Sequence, residues 1–391
     1  MSHTASPYLT PDHAAFRDSV RRFVREEITP FAAEWDEAET FPRALYKKAA
    51  AAGLLGIGYP EAYGGFEADV FIRIIFSEEL AACGAGGICA SLMSHTIGAP
   101  PIAHFGSSEM KARVLPGILA GEKISALAIT EPSGGSDVAA LKTSARLEGN
   151  EYVVNGSKMF ITSGMRADYY SVAVRTGGPG AAGVSLLLIE RDRAGFTRTP
   201  LKKMGWWASD TAALYFDNVR VPAANLIGEE GRGFKVIMTN FNLERLGMAA
   251  QAVGFAQAAY DDALAWARER HTFGKALIES QVIRHKLVDM QMKIDASRSY
   301  LYDCAWQIQQ QTAGAAGAAG GLGTAARLAM LKNCSTQAMQ FCADQAVQIL
   351  GGSGFMRGSR AERIYREVKV MMIGGGAEEI MKDLAAKQLG Y

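Results

Sequence analysis

Apolar positions in the first third of the chain fall at helical spacing. Thr10-Pro11-Asp12 reads as a helix start, a hydroxyl cap followed by a proline whose missing N–H costs nothing there. Phe16, Val20, Phe23 and Val24 then recur at i, i+4, i+7 and i+8 and form one stripe. Pro30 interrupts or bends that helix. Gly64-Gly65 closes a second unit, a helix follows over 71–82, and the apolar, small-residue stretch 83–105 reads as a buried helix. The texture changes near residue 124. The runs 125–131, 151–162, 169–175, 183–190 and 213–221 are short and rich in β-branched or aromatic residues, with turns such as Glu148-Gly149-Asn150 and Asn155-Gly156 between them. They predict a small all-β domain joined by hairpins, without parallel βαβ units. After Gly231-Arg232-Gly233 the helical period returns over 234–270, 281–311, 322–351 and 359–389. The expected layout is a helical domain over 1–123, a β domain over 124–232 and a helical bundle over 233–391. The low-complexity run 312–323, TAGAAGAAGGLG, reads as a flexible connection between helices.

Composition removes several function classes. Hydrophobic residues are 49% and charged residues 21% of 391, enough to bury a large core. Lys+Arg is 41 against Asp+Glu 40, and no five-residue basic block occurs, so a nucleic-acid partner is not expected. Five cysteines at 83, 89, 304, 334 and 342 form no CxxC pair, which argues against zinc ribbons and dithiol redox sites and suits a reducing compartment. The first residues hold no basic stretch leading into an apolar one and are not Arg-rich, so neither a secretory nor a transit leader is expected, and the compartment is read as cytoplasmic. No uncharged run of about 20 strongly apolar residues occurs, so no membrane span is expected. No HxxxH, HExxH or GxSxG is present, leaving metal and hydrolase-elbow chemistry unsupported.

Five features could carry chemistry. Ile237, Phe241, Met248 and Phe255 all fall within roughly 60° of Glu244 around a helix of about 100° per residue, so a carboxylate lies along an apolar stripe. Burial would make it a stronger base; a structural ion pair with Arg245 or another arginine is the competing reading. Thr130–Asp137, TEPSGGSD, follows a strand and its small residues would let backbone N–H groups approach a ligand; a generic turn looks the same. Arg270–Lys275, RHTFGK, is either ordinary helix capping or a cationic cradle for a pyrophosphate. Gln348–Gly354 and Ile373–Glu379 are glycine-rich breaks in helical sequence, helix ends or places where backbone meets ligand. Trp206-Trp207 reads as packing.

In order along nearly the whole chain, ALAITEPSGGSD, NGSKMFITSG, MGWWASDT, FDNVRVPAANLIG, NLERL, RERHTFGK, QILGGSGF and IGGGAEEIM resemble the acyl-CoA dehydrogenase family. These are flavoenzymes that introduce an α,β double bond into acyl-CoA thioesters. The resemblance implies a mainly α fold: an N-terminal helical domain, a small β-barrel-like middle domain and a C-terminal four-helix bundle. It implies FAD as cofactor. Leu127, Ile129, Thr130, Gly135 and Ser136 then belong to the segment that binds the flavin and passes the substrate, with Thr130 toward the ring and Ser136 toward CoA. Phe160, Ile161 and Thr162 match the run lying against the isoalloxazine, Phe standing where Trp is common. Arg270, Phe273 and Gln281 match FAD contacts supplied across a subunit interface, and Gln348, Gly351 and Gly352 match the adenine and ribose side. Ala377 departs from the usual Thr, and Glu379 matches an acidic position used by some members. Phe241, Asn242, Arg245, Gly374 and Gly375 fall to the substrate side.

Many members place the catalytic Glu in the late loop, where this chain has Gly375. A smaller group, including isovaleryl-CoA and long-chain enzymes, places it in LERL, and here that residue is Glu244. The resemblance thus implies Glu244 as base and Arg245 as its support, with a branched or medium-to-long acyl chain beside the small residues Gly374-Gly375-Gly376. It implies an electron-transfer flavoprotein as acceptor and a homotetramer, a dimer of dimers. The competing functions are an oxidase or monooxygenase on the same fold and a catalytically inactive binding homologue.

Overall fold

The computed structural model describes residues 7–312 and 323–391; the connection expected over 312–323 lies almost wholly outside the described residues. Helix Pro11–Glu27 starts as its sequence dictates. The Thr10 hydroxyl accepts from the His13 N–H, and His13 Nδ1 accepts from the Thr10 N–H, completing a capping box with a histidine in place of the usual Glu. Val20, Phe23 and Val24 are buried along it. The helix stops at Glu27, and Thr29–Phe31 around Pro30 is a single 3₁₀ turn. The stretch 83–105 is not one helix but three short ones, Gly86–Leu92, His95–Gly98 and Pro100–Phe105. Pro100-Pro101 cannot continue the preceding turn, so the chain restarts there with proline at the first helical position.

The chain packs as two compact units interleaved in sequence. One comprises 38–67 and 87–244 and holds a seven-stranded sheet: β1 Ser125–Ala128, β2 Ser144–Glu148, β3 Glu151–Thr162, β4 Tyr169–Arg175, β5 Val184–Glu190, β6 Phe196–Pro200 and β7 Thr211–Pro222. The order is β1-β4-β2-β3-β7-β6, with β5 on β4. The hairpin β2–β3 turns at Gly149, whose φ of 62° suits glycine. The expectation of hairpins alone is corrected by β1, which pairs β4 in parallel, Ser125 opposite Tyr169, without a crossover helix. β2 and β6 escape the hydrophobic pattern because each buries a single residue, Ala145 and Phe196. Gly98 packs on β1 so closely that a Cβ would lie 2.9 Å from Ala126 backbone.

The other unit comprises 1–37, 68–86 and 245–391, and its described elements are mainly helical: Val70–Leu80, Gln281–Thr312, Thr324–Leu350, Arg360–Ile373 and Glu378–Leu389 join helix 11–27 and the later part of the 37-residue helix Gly233–Glu269. The run expected over 359–389 is two helices, broken at the glycine triplet. Buried Glu78 takes hydrogen bonds from Arg298 (2.7 Å) and from the Tyr302 hydroxyl (3.2 Å), tying helix 70–80 to helix 281–312. At Gly254 a Cβ would sit 2.3 Å from the Glu78 carbonyl oxygen, so helix 233–269 approaches helix 70–80 at a point only glycine permits.

Candidate active site

The turn after β1 folds back on itself: Glu131 and Gly134 exchange both backbone hydrogen bonds, and a Cβ on Gly135 would lie 3.1 Å from Thr130 Cγ2. Thr130 is half-buried and Gly135 and Ser136 are exposed. Leu127, Ile129 and Phe241 belong to one hydrophobic cluster with Val236 and Ile237. The turn is fastened to β3 by an ion pair that the sequence reading did not anticipate. Lys158, fully buried, donates from Nζ to Glu131 Oε1 and to the Ile129 carbonyl, each at 2.9 Å. Glu131 also accepts from the backbone N–H groups of Lys142 and Thr143, and Met159 N–H donates to the Thr130 carbonyl at 2.8 Å. Burial pushes the Lys158 amine down to about 8, with Glu131 opposing the fall. Burial raises the Glu131 carboxyl, but Lys158 and the N–H donors outweigh it and hold it below the usual range.

Just beyond the ion pair, β3 bulges: the register slips between Lys158 opposite Leu214 and Ile161 opposite Ala212. Phe160 takes φ 62° in the bulge and its side chain is 67% exposed, while Ile161 is buried and Thr162 half-buried. A left-handed aromatic residue costs roughly 1–2 kcal/mol, and such strain gathers where a side chain has a task. Asp210, from the MGWWASDT motif, holds the turn that follows β3: Oδ2 accepts from Met165 N–H at 2.7 Å.

The stripe read from the sequence is real. Along helix 233–269 Ile237 and Phe255 are buried, and Phe241, Asn242, Glu244 and Met248 are half-buried. The adjacent Arg245 is buried and donates from Nε to the Gly375 carbonyl at 3.1 Å. Gly375 and Gly376 take φ of 66° and 117° in the loop between the two last helices. The room expected beside the glycines is already partly taken. A Cβ on Gly375 would stand 2.6 Å from Met248 Sδ, and one on Gly374 would stand 3.8 Å from Met248 Cε. Ala377 caps the last helix without a side-chain hydrogen bond, and Glu379 in its first turn is exposed.

The segment after Glu269 is not simple capping. His271–Thr272 pairs with Lys275–Ala276 in a two-residue hairpin with Phe273 and Gly274 at its tip, φ 51° and 81°. Arg270 is exposed and accepts through its carbonyl from Leu277 N–H at 2.7 Å; Gln281 opens the next helix, also exposed. The Phe273 side chain is fully exposed, a conformation and exposure that no local packing accounts for. Gln348 is exposed near the end of helix 324–350, and Gly351 and Gly352 have open space where a Cβ would stand. One unit thus brings the end of β1 and its turn, with Leu127, Ile129 and Thr130, against β3 next to Phe160; the other brings Arg245, Gly374 and Gly375 together. Among the described residues no His, Cys, Asp and Glu cluster could hold a metal, and no helix is long and apolar enough to cross a membrane.

Comparison with known proteins defines the class. The acyl-CoA dehydrogenase N-terminal, middle and C-terminal domain profiles match residues 10–122, 126–219 and 231–390. The chain is 38% identical to an acyl-CoA dehydrogenase of Bacillus subtilis, over 98% of this chain and 99% of that protein. It is 35% identical to the long-chain specific mitochondrial acyl-CoA dehydrogenase of Rattus norvegicus, over 97% of this chain and 87% of that protein. The crystal structure of an acyl-CoA dehydrogenase from Geobacillus kaustophilus superposes with a TM-score of 0.92 at 35% identity, covering 99% of this chain and 100% of the other. The chain belongs to the acyl-CoA dehydrogenase family, whose members are FAD-dependent oxidoreductases.

Proposed function

We propose that this protein oxidises a branched or medium-to-long acyl-CoA to its trans-2-enoyl-CoA, with Glu244 as the base. The observation that carries the reading is the pairing of an acidic residue at 244 with glycine at 375: of the two alternative base positions in the family, one is acidic, and Met248 occupies the space a side chain at the other would need. Glu244 takes the α-proton of the thioester. The Gly375 N–H donates to the thioester carbonyl, where charge builds as the proton leaves, and Arg245 keeps that stretch of backbone in register with the base helix. Ser136, Phe241 and Asn242 belong to the substrate side of the same reading.

The chain's residues fit FAD. An exposed aromatic in a strained bulge at Phe160, beside Thr130, Ile161 and Thr162, suits a flat ring; the open backbone of Gly351 and Gly352 beside Gln348 suits a nucleotide. Arg270, the bare ring of Phe273 and Gln281 suit a contact reaching a second copy's cofactor, which supports a homotetramer built as a dimer of dimers. Ala377 offers no hydroxyl, so FAD contacts in that loop fall to backbone and to Glu379. FAD when bound supplies the acceptor for the β-hydrogen as hydride. An electron-transfer flavoprotein, in a cytoplasm, is the proposed onward acceptor.

Met248 is an adaptable thioether, and a branch at the α or β carbon would displace it. Anaerobic titration with butyryl-, isovaleryl-, octanoyl- and palmitoyl-CoA tests the assignment through loss of oxidised flavin absorbance. Bleaching is expected with isovaleryl-CoA or the longer chains. A strong preference for butyryl-CoA contradicts the chain class, and no bleaching by any of the four contradicts the reaction.

A further inference from the structure

Three consecutive glycines make the loop 374–376 the part of the proposed site with the most backbone freedom to lose. The reaction asks the opposite of it. A backbone N–H that is to stabilise developing charge must already point at the carbonyl when substrate arrives. Nothing in the loop's own side chains can supply that order.

Order comes from helix 324–350. Lys332 on that helix is fully buried, and its Nζ donates to the Met372 carbonyl at 2.8 Å and to the Gly376 carbonyl at 2.7 Å. Met372 carries one of the last carbonyls of helix 360–373, which the helix itself leaves without an intrahelical donor. Gly376 lies at the far end of the triplet. One amino group therefore ties both ends of the loop, while Arg245 holds the carbonyl of Gly375 between them. The next residue continues the clasp: Asn333 Nδ2 donates to the Glu378 carbonyl at 2.9 Å, and one turn on, Gln337 Nε2 donates to Glu378 Oε1 at 2.7 Å. A fully buried lysine is costly where leucine or methionine would fill the same volume, and two of its three donors are spent here on main-chain carbonyls that flank the loop.

We propose that Lys332 is a positioning residue for the dehydrogenation: it presets the Gly374–Gly376 backbone so that the Gly375 N–H meets the thioester carbonyl without reorganising. The proposal rests on the reading of the preceding subsection. It separates Lys332 from a residue that merely stabilises the fold, because an effect on enolate stability is not an effect on unfolding.

The test uses FAD-loaded K332M and K332Q proteins beside wild type. The first readout is the rate constant of anaerobic flavin reduction by the best acyl-CoA of the panel. K332M is expected to lose roughly tenfold to a hundredfold in that rate, with KM within about threefold of wild type, and K332Q, which keeps an amide donor, to lie between. The second readout is the long-wavelength charge-transfer band formed with a 3-thia-acyl-CoA, whose α-proton is lost without hydride transfer. The pH midpoint for its appearance is expected to move up by about one unit in K332M, a tenfold loss of enolate stability. Unchanged rate and unchanged midpoint in a folded variant overturn the proposal, whatever happens to its melting temperature. If K332M does not fold, K332Q and K332R are judged by the same two readouts. Wild type that shows neither bleaching nor band overturns the dehydrogenase reading and this proposal with it; wild type that shows both, with variants indistinguishable from it, overturns this proposal alone.

Discussion

Two carboxylates illustrate how a single residue can be legible or hidden. Glu244 stands out in the sequence because a charge interrupts an apolar stripe, and the structure keeps it half-buried on that stripe. Lys158 and Glu131 do not stand out. A lysine two residues after Asn155-Gly156 alternates like any solvent-facing strand position, and only the bulge and the folded-back turn bring it under Glu131. The pair's weight is measurable. Lys158→Met leaves the Glu131 carboxylate buried with two backbone donors and no cation, and should cost about 3–5 kcal/mol of unfolding free energy. The K158M/E131Q double variant should recover much of that loss. Urea unfolding of FAD-free protein checks it; a K158M midpoint equal to wild type would remove the ion pair from the account of how Thr130 and Phe160 are held.

At the scale of elements, the long periodic helices and the strands with several buried residues are written in the sequence, whereas β2 and β6 are not, because each is held by its neighbours through one inward residue. The parallel pairing of β1 with β4 is likewise a product of tertiary packing, for the chain between them, 129–168, holds the hairpin β2–β3 and no helix beyond a short 3₁₀ turn. Helix 360–373 carries a further element-level feature. Glu367 is buried and its Oε2 accepts from the Gly86 N–H at 2.8 Å. Burial first, then the nearby Asp36 carboxylate, pushes its carboxyl up to about 8, against the Gly86 N–H, Arg363 and Arg366. Between the unfolded value of about 4.3 and that folded value the native state holds a proton the unfolded chain has released, so stability falls as pH rises across the window. Comparing thermal unfolding of wild type and E367Q from pH 5 to pH 9, wild type should lose ground steadily to the variant up to about pH 8 and then level off. A constant difference would show that Glu367 is ionised throughout.

At the scale of the whole molecule, sequence texture divides the chain into three segments, and contacts divide it into two interleaved units. Texture registers local period; it cannot register that residues 68–86 pack with the helices after 245, a partnership written in close approaches such as Gly254 against Glu78. The same limit applied to the chemistry. The sequence offered Glu244 with its neighbour Arg245 and the glycine triplet as separate features, without the link from Arg245 to the Gly375 carbonyl, and Lys332, which binds the Gly376 carbonyl, looked like an ordinary lysine. The function proposed for the molecule turns on one proton transfer. The most direct test is anaerobic stopped-flow reduction of FAD-loaded wild type and E244Q by the acyl-CoA that bleaches wild type. With FAD retained and the far-UV spectrum unchanged, E244Q should be slower by about three or more orders of magnitude. Flavin reduction by E244Q at a rate near that of wild type would contradict Glu244 as the base.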